Sequence, residues 1–213
     1  MPMLKKRNIL LLGLAAMLAA PALTLSADDG CPKVRIGGYI GERIDVCNRG
    51  MVLSRDVDEL VEPFRHKDDT KSWSTEFIGK WMLGAMDMYR YNGDPALLAK
   101  IEAGIRDLVS TQETDGFIGS YAPGARLKHW DIWGRKYTAL ALLSYYDLTG
   151  DKAVLDAAAR SIDCLINDLE SRDADIARTG NYFGMASCSV LEPVVWLYRE
   201  TGAEKYLDFA GRI

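Results

Sequence analysis

A short phrase that ends one helix and begins the next occurs three times in this 213-residue chain. Its copies read YNGDPALL, LTGDKAVL and ETGAEKYL. In each copy an apolar helical pattern runs into a glycine, and a few polar residues lead into a second helical pattern. The glycines, Gly93, Gly150 and Gly202, recur at intervals of 57 and 52 residues (150 − 93 and 202 − 150), a spacing typical of repeated helical hairpins. The phrase therefore predicts an all-α chain built from αα-hairpins.

Helical periodicity predicts where these hairpins lie. They are expected at 74–91 with 95–112, at 137–148 with 152–169, and at 185–199 with the residues from 204 onward. Before them, residues 34–49 are interpreted as a glycine-bearing lead-in and residues 52–64 as a short helix.

The two helices of each predicted hairpin differ in character. First helices, such as 140–146, are apolar nearly all round, which favours burial on both sides. Second helices, such as 151–168, alternate apolar and charged positions and are expected to show one face to water. The contrast predicts an α/α toroid with the first helices inside, an (α/α)6 barrel of which about three hairpins are present.

The first 27 residues have the pattern of a secretory signal peptide. A basic stretch, Lys5-Lys6-Arg7, precedes an apolar run over 9–20, and Ala22 and Ala27 offer small residues for cleavage. The run is short for a membrane span and a polar segment follows it. We expect residues 1–27 to be a signal peptide and the mature protein to be periplasmic or secreted, without stable membrane insertion after cleavage.

The sequence stops within a helical pattern, on the apolar residue Ile213. Repeat proteins need closure or a polar cap to cover their last hydrophobic face. We therefore expect residues 28–213 to be the N-terminal part of a barrel domain truncated at its C-terminus, with a complete short solenoid as the alternative.

Composition argues against nucleic acid as a partner and leaves open whether the chain has a disulfide. The chain has 26 basic and 30 acidic residues and no basic stripe, so nucleic acid is not an expected partner. Two histidines and no Cys-x-x-Cys pair provide no recognisable metal-ligand spacing. Cys31 and Cys47 lie close enough in sequence for a disulfide, although Cys47 also fits the core of a short helix. The oligomeric state is not indicated.

Side chains suited to sugar binding gather where the predicted inner helices begin. In a ring those helix ends converge on one mouth, where aromatic faces can stack on sugar rings and charged groups can bond their hydroxyls. The residues predicted to bind a carbohydrate substrate are Glu76, Trp130, Asp131, Trp133, Lys136 and Tyr137.

Some of these residues also have a structural interpretation. Glu76 can interact with the dipole of its own helix. One of Trp130 and Trp133 is expected to pack in the core while the other lines the cavity. Lys136 stands in an otherwise apolar helix, so it is expected to pair with Asp131 or Glu76 or to face a wet cavity.

Several motifs together resemble one enzyme family. They are GGYIGER from Gly37, EFxGKW from Glu76, QxxDGFIG from Gln112, WDxWxxKY from Trp130, and TGD from Thr149. Over about residues 34–213 the chain is similar to the N-terminal half of the β-L-arabinofuranosidase-like glycoside hydrolases, family 127 and its relatives. The combined motifs are specific, whereas TGD alone is a common turn between helices.

The resemblance implies an (α/α)6 barrel that hydrolyses a terminal arabinofuranose-like sugar with retention of configuration. It further implies a zinc-bound cysteine nucleophile and a glutamate acid/base in the later half of the barrel, so no catalytic residue or metal ligand is assigned here and this chain alone is expected to be inactive. Trp130 and Asp131 stand where some members carry a histidine–glutamate pair, which leaves the exact sugar open.

Other functional classes remain as alternatives. One is a non-catalytic α-solenoid that binds a carbohydrate or a protein. The other is a different α/α-toroid enzyme, either a sugar epimerase or an unsaturated glucuronyl hydrolase.

Overall fold

A computed structural model describes residues 34–213 and confirms that this part of the chain is helical. The helices are α1 (Gly38–Cys47), followed by a π-helical stretch (Asn48–Leu53), α2 (Asp58–His66), α3 (Glu76–Asn92), α4 (Pro95–Ser110), α5 (Asp131–Thr149), α6 (Lys152–Ser171), α7 (Met185–Cys188), α8 (Leu191–Thr201) and α9 (Glu204–Arg212). Short 3-10 turns lie at Pro123–Ala125 and Ile176–Arg178. Among the described residues, β-type pairing is limited to one isolated bridge between Asp69 and Tyr121.

The signal peptide at 1–27 lies outside the described residues, and so does Cys31 of the possible disulfide with Cys47. Cys47 ends α1 but is exposed, so the alternative prediction that it lies in the core of a short helix is wrong. Within residues 34–213, no helix is long and apolar enough to cross a membrane.

The three copies of the repeated phrase form the three predicted hairpins, α3 with α4, α5 with α6, and α8 with α9. Gly93, Gly150 and Gly202 have φ values of 65°, 71° and 66°, the left-handed region that favours glycine. Each glycine N–H donates to the carbonyl of the tyrosine four residues earlier, at 2.7 Å in every copy. The same helix-ending bond therefore closes the first helix of each hairpin.

The restart of the second helix differs between the copies. Asp94 and Asp151 each accept a backbone N–H two residues on, at 2.9 Å, and so cap α4 and α6. Ala203, at the corresponding position before α9, has no side-chain cap. Because such a cap contributes about 1 kcal/mol, α4 and α6 begin with a local stabilisation that α9 lacks.

The central hairpin confirms the predicted layering. Helix α5 packs against α3, α6 and α8. From Asp131 to Tyr145 every residue of α5 is buried or half-buried. On α6, Ile162 and Leu165 are buried while Asp156 is exposed, so α6 shows one face to water.

The prediction of burial on both sides is wrong for α8, where Leu191 and Val195 are each 40% exposed. On α3 the apolar side chains from Trp81 to Met88 are buried or half-buried, whereas Phe77 in the first turn is 45% exposed. Helix α5 packs against both of these helices. An apolar pattern indicates that a helix face can be buried, but the face is buried only where another element packs against it.

The N-terminal segment also differs from its prediction. Residues predicted to be a lead-in form α1, and the short helix predicted at 52–64 begins only at Asp58, after the π-helical stretch. Gly41 lies inside α1, where a Cβ would overlap the carbonyl of Ile36. Gly41 therefore permits close packing of the chain on itself instead of breaking the helix.

Candidate functional site

The first turns of α3 and α5 approach each other closely because both helices carry glycine at the crossing. A Cβ on Gly79 would overlap the backbone of α5, and a Cβ on Gly134 would clash with the hydroxyl of Thr75. This approach brings Glu76, the first residue of α3, to the indole of Trp133, whose Nε1 donates to Glu76 Oε2. Two helix starts are thus joined by one half-buried hydrogen bond.

Glu76 connects this indole to an ammonium group. Its other oxygen, Oε1, lies 2.9 Å from Lys80 Nζ, one turn further along α3. Lys80 Nζ also lies 5.1 Å from the centroid of the Tyr137 ring, within the range of a cation–π interaction. The Glu76 side chain is only 12% exposed, so its carboxylate is held in a fixed position at the edge of the surface.

Lys136 approaches the same rings from α5. Its Nζ lies 4.4 Å from the ring centroid of Tyr137 and 5.1 Å from that of Trp133. Its nearest carboxylate is Glu192 on α8, at 3.8 Å. The expected pairing of Lys136 with Asp131 or Glu76 is therefore wrong, because α8 supplies the carboxylate.

Four aromatic rings form a continuous row through the site, here called the aromatic row: Tyr137, Trp133, Trp130 and Tyr182. Successive ring centroids are 5.2, 6.0 and 5.6 Å apart, and each pair meets edge to face. Trp130 immediately precedes α5, and Tyr182 lies in the loop before α7. Both tryptophans are half-buried, and of the two it is Trp130 that packs against the small buried cluster containing Phe117 and Tyr121.

Asp131 is the predicted site residue that the structure separates from the aromatic row. Its side chain is 1% exposed, and its Oδ2 lies 3.0 Å from Arg135 Nη2. The same oxygen accepts the N–H of Leu127 at 2.8 Å. Arg135 also bonds Asp168 of α6 at 2.6 Å. A buried partner thus holds Asp131 in the packed interior, apart from the aromatic row.

A second arginine extends this buried charged network. Arg126 bonds Glu113 and Asp115, each at 2.6 Å, and its guanidinium lies 3.8 Å from the centroid of the Phe117 ring. Asp115 also accepts the N–H of Phe117 at 3.0 Å, as expected for a turn residue. The network stabilises the loop that leads into α5.

Cys164 lies within the same network and is not poised for reaction. Its sulfur is 3.9 Å from Arg126 Nη1 and 4.0 Å from Arg135 Nη1. Burial raises the pKa of the Cys164 thiol to about 11. Because the thiolate is the nucleophilic form, a thiol with this pKa is unreactive at neutral pH.

Three contributors to the site were missed by the sequence analysis. Lys80 had a usable signal, because it follows Glu76 by four residues and so shares its helical face. Tyr121 had no usable signal in the sequence. Its hydroxyl donates to the Ser72 carbonyl at 2.7 Å and accepts the Trp130 N–H at 3.2 Å. These two bonds tie the loop before α3 to the start of α5. Tyr182 reaches Trp130 only through the tertiary fold.

A separate cavity of about 330 Å³ lies at the other end of α5. It is bordered by Ile105 and Val109 of α4, Tyr145 of α5 and Val154 of α6. Along α5, Tyr145 lies about two turns beyond Tyr137, the nearest member of the aromatic row.

Comparisons with known proteins agree with this architecture. Residues 39–213 match the family model described as the β-L-arabinofuranosidase GH127 catalytic domain. A solved structure titled glycoside hydrolase is 25% identical, with a TM-score of 0.59, over 84% of this chain and 25% of that one. A GH127 β-L-arabinofuranosidase from Geobacillus stearothermophilus T6 is 19% identical, with a TM-score of 0.62, over 85% of this chain and 32% of that one.

The chain thus spans between a quarter and a third of the length of these two solved structures. Among curated proteins, none matches the sequence. The described helices correspond to consecutive hairpins of an α/α toroid.

Proposed function

The chain belongs to the GH127 β-L-arabinofuranosidase family, and from that premise we propose that it forms the sugar-binding N-terminal part of an exported glycoside hydrolase. The reaction we propose for the whole enzyme is release of a terminal arabinofuranose-like sugar from a glycan. The aromatic row and the charged groups beside it hold the terminal sugar while hydrolysis takes place.

The observation that carries the proposal is the placement of the Glu76 carboxylate beside the aromatic row. Glu76 is held by the Trp133 indole and the Lys80 ammonium, and each carboxylate oxygen retains capacity to accept a sugar hydroxyl. Half-buried rings next to it offer flat apolar faces for the C–H faces of a sugar ring. A furanose needs both kinds of partner at once, and this surface provides them.

The hydrolytic chemistry is not assigned to the described residues. Within residues 34–213, no three His, Cys, Asp or Glu side chains converge in a way that could hold a metal ion. A cation beside Cys164 would also meet two guanidinium groups. The zinc of the family therefore does not fit this part of the chain, and its ligands and the nucleophile are expected in the C-terminal half of the barrel.

The proposed sugar site can be tested by titrating the purified protein with methyl β-L-arabinofuranoside and following tryptophan fluorescence. Glu76→Gln and Trp133→Phe should each weaken binding about tenfold. The first removes the charge of the carboxylate that accepts a sugar hydroxyl, and the second removes the indole N–H that holds this carboxylate in place. The matched control is Asp87→Asn, which changes an exposed carboxylate on the same helix and should leave the affinity unchanged.

Two results would contradict the proposal. Absence of saturable binding would remove the sugar site, and unchanged affinity in both variants would return Glu76 and Trp133 to a structural role. The assignment of chemistry has its own test, since hydrolysis of an aryl arabinofuranoside by residues 28–213 alone would place the catalytic groups within this chain.

A further inference from the structure

The aromatic row continues past the proposed sugar site into an exposed loop. Tyr182 meets Trp130 at a centroid separation of 5.6 Å and is 67% exposed. The next residue, Phe183, is 95% exposed, so its ring makes almost no packing contact in the described structure. A phenylalanine left in water at this position contributes nothing to the hydrophobic core.

The backbone of this loop is held in an unfavourable conformation. Tyr182 and Phe183 have φ values of 54° and 52°, the left-handed region that bulky residues rarely adopt. Such a conformation persists only where the surroundings impose it, and residues of this kind cluster at functional sites. Here the strain is not offset by burial of either ring.

Backbone contacts on both sides impose the conformation. Asn181 N–H donates to the His129 carbonyl at 3.0 Å, which ties the loop to the residue before Trp130. On the other side, Gly184 packs so closely on Ala177 that a Cβ would overlap its backbone. The loop is therefore anchored at both ends while its two aromatic side chains project outward.

These observations point to a ligand that continues beyond the first sugar. We propose that Tyr182 and Phe183 form a second sugar subsite, which binds the next sugar residue of the same glycan; this inference rests on the proposed function of the neighbouring site. Continuity with the proposed sugar site selects this occupant, because Trp133, Trp130 and Tyr182 follow one another in the aromatic row. A sugar linked to one bound beside Glu76 and Trp133, and extending along the row past Trp130, would next meet Tyr182. Two aromatic faces and the Tyr182 hydroxyl suit a pyranose or furanose ring.

A second subsite would make the protein bind a longer glycan more tightly than a single sugar. A disaccharide of arabinofuranose should bind the purified protein roughly tenfold more tightly than methyl β-L-arabinofuranoside, as one added aromatic contact would give. Phe183→Asn and Tyr182→Asn should each lower this ratio of affinities toward one. Asparagine is chosen because it tolerates the left-handed region, so that the ring is removed without a new backbone conflict.

The matched control is Met185→Ala. Met185 is 76% exposed in the same loop but is not aromatic, so its removal should leave the ratio unchanged. Isothermal titration calorimetry gives both affinities, and circular dichroism checks that each variant is folded.

The outcomes separate this inference from the function on which it rests. If neither sugar binds, the proposed function fails. If the monosaccharide binds and the disaccharide gains nothing, only the second subsite fails. The subsite is also overturned if the variants weaken both sugars equally, or if they change the oligomeric state and leave both affinities unaltered, since Phe183 would then serve a protein contact.

Discussion

Glu76 and Asp131 are each the first residue of an inner helix, and each pairs with a basic residue four positions later. Their environments nevertheless differ. Lys80 is 46% exposed, so Glu76 lies at the edge of an open surface, whereas Arg135 is 1% exposed and draws Asp131 into the interior. The same local motif therefore serves a candidate site in one helix and the packing of the chain in the other.

The buried pair of Asp131 and Arg135 is expected to contribute to the stability of the protein. Asp131→Ala removes one of the two carboxylates that bond Arg135 and leaves the Leu127 N–H without its acceptor. We expect the free energy of unfolding to fall by about 3 kcal/mol, as for other broken buried pairs. Urea denaturation measures this change.

Asp87→Ala is the matched control for Asp131→Ala. The Asp87 side chain is 78% exposed, and its pairing with Arg90 should contribute less than about 1 kcal/mol. Unchanged stability of Asp131→Ala together with lost sugar affinity would restore the interpretation of Asp131 as a substrate-binding residue.

At the scale of elements, the site depends on how closely α3 and α5 cross. Gly134 faces Thr75, and the buried contact brings the start of α3 to the indole of Trp133. In an isolated helix, alanine is more favourable than glycine by roughly 0.5–1 kcal/mol. Here the tertiary contact outweighs that preference.

Two glycine-to-alanine substitutions separate the cost of overpacking at the helix crossing from the preference of a helix for alanine. Gly134→Ala should destabilise the protein by about 1–3 kcal/mol through overpacking and should weaken sugar binding, because Trp133 moves away from Glu76. Gly84→Ala on α3, where a Cβ would meet nothing within 4 Å, should stabilise by roughly 0.5–1 kcal/mol. Thermal denaturation and fluorescence titration test both variants, and equal stabilisation by the two would refute the role of the helix crossing.

At the scale of the whole molecule, the described part of the chain presents apolar side chains to water along its inner layer. Phe77 on α3 and Leu191 and Val195 on α8 lie on helices whose other side packs against α5. Exposed apolar patches of this kind promote association.

This surface predicts concentration-dependent self-association of the purified chain. Substituting lysine at both Leu191 and Val195 should reduce association, because it places two like charges on the exposed stripe of α8. Leu207→Lys, on the outer helix α9 and 45% exposed in the native residue, is the control and should have little effect. Sedimentation velocity over a range of concentrations measures the result; a monomer throughout, or an equal effect of the control, would contradict the prediction.

The sequence alone determined the helical hairpins and their turns. Gly93, Gly150 and Gly202 end their helices through bonds to residues four positions earlier, and Asp94 and Asp151 cap the next helix two residues on. Interactions of such short range are encoded locally, so periodicity and turn chemistry were enough to place them.

Only the tertiary structure decided how the candidate site is assembled. Lys136 meets Glu192, and Arg135 draws Asp131 toward Asp168 of another helix. The Lys136–Glu192 and Arg135–Asp168 contacts join residues that are distant in sequence, and several partners were chemically possible for each charged group. Their selection depends on how closely the helices cross and which faces become buried, because burial makes an unpaired charge costly and so fixes the pairing that packing allows.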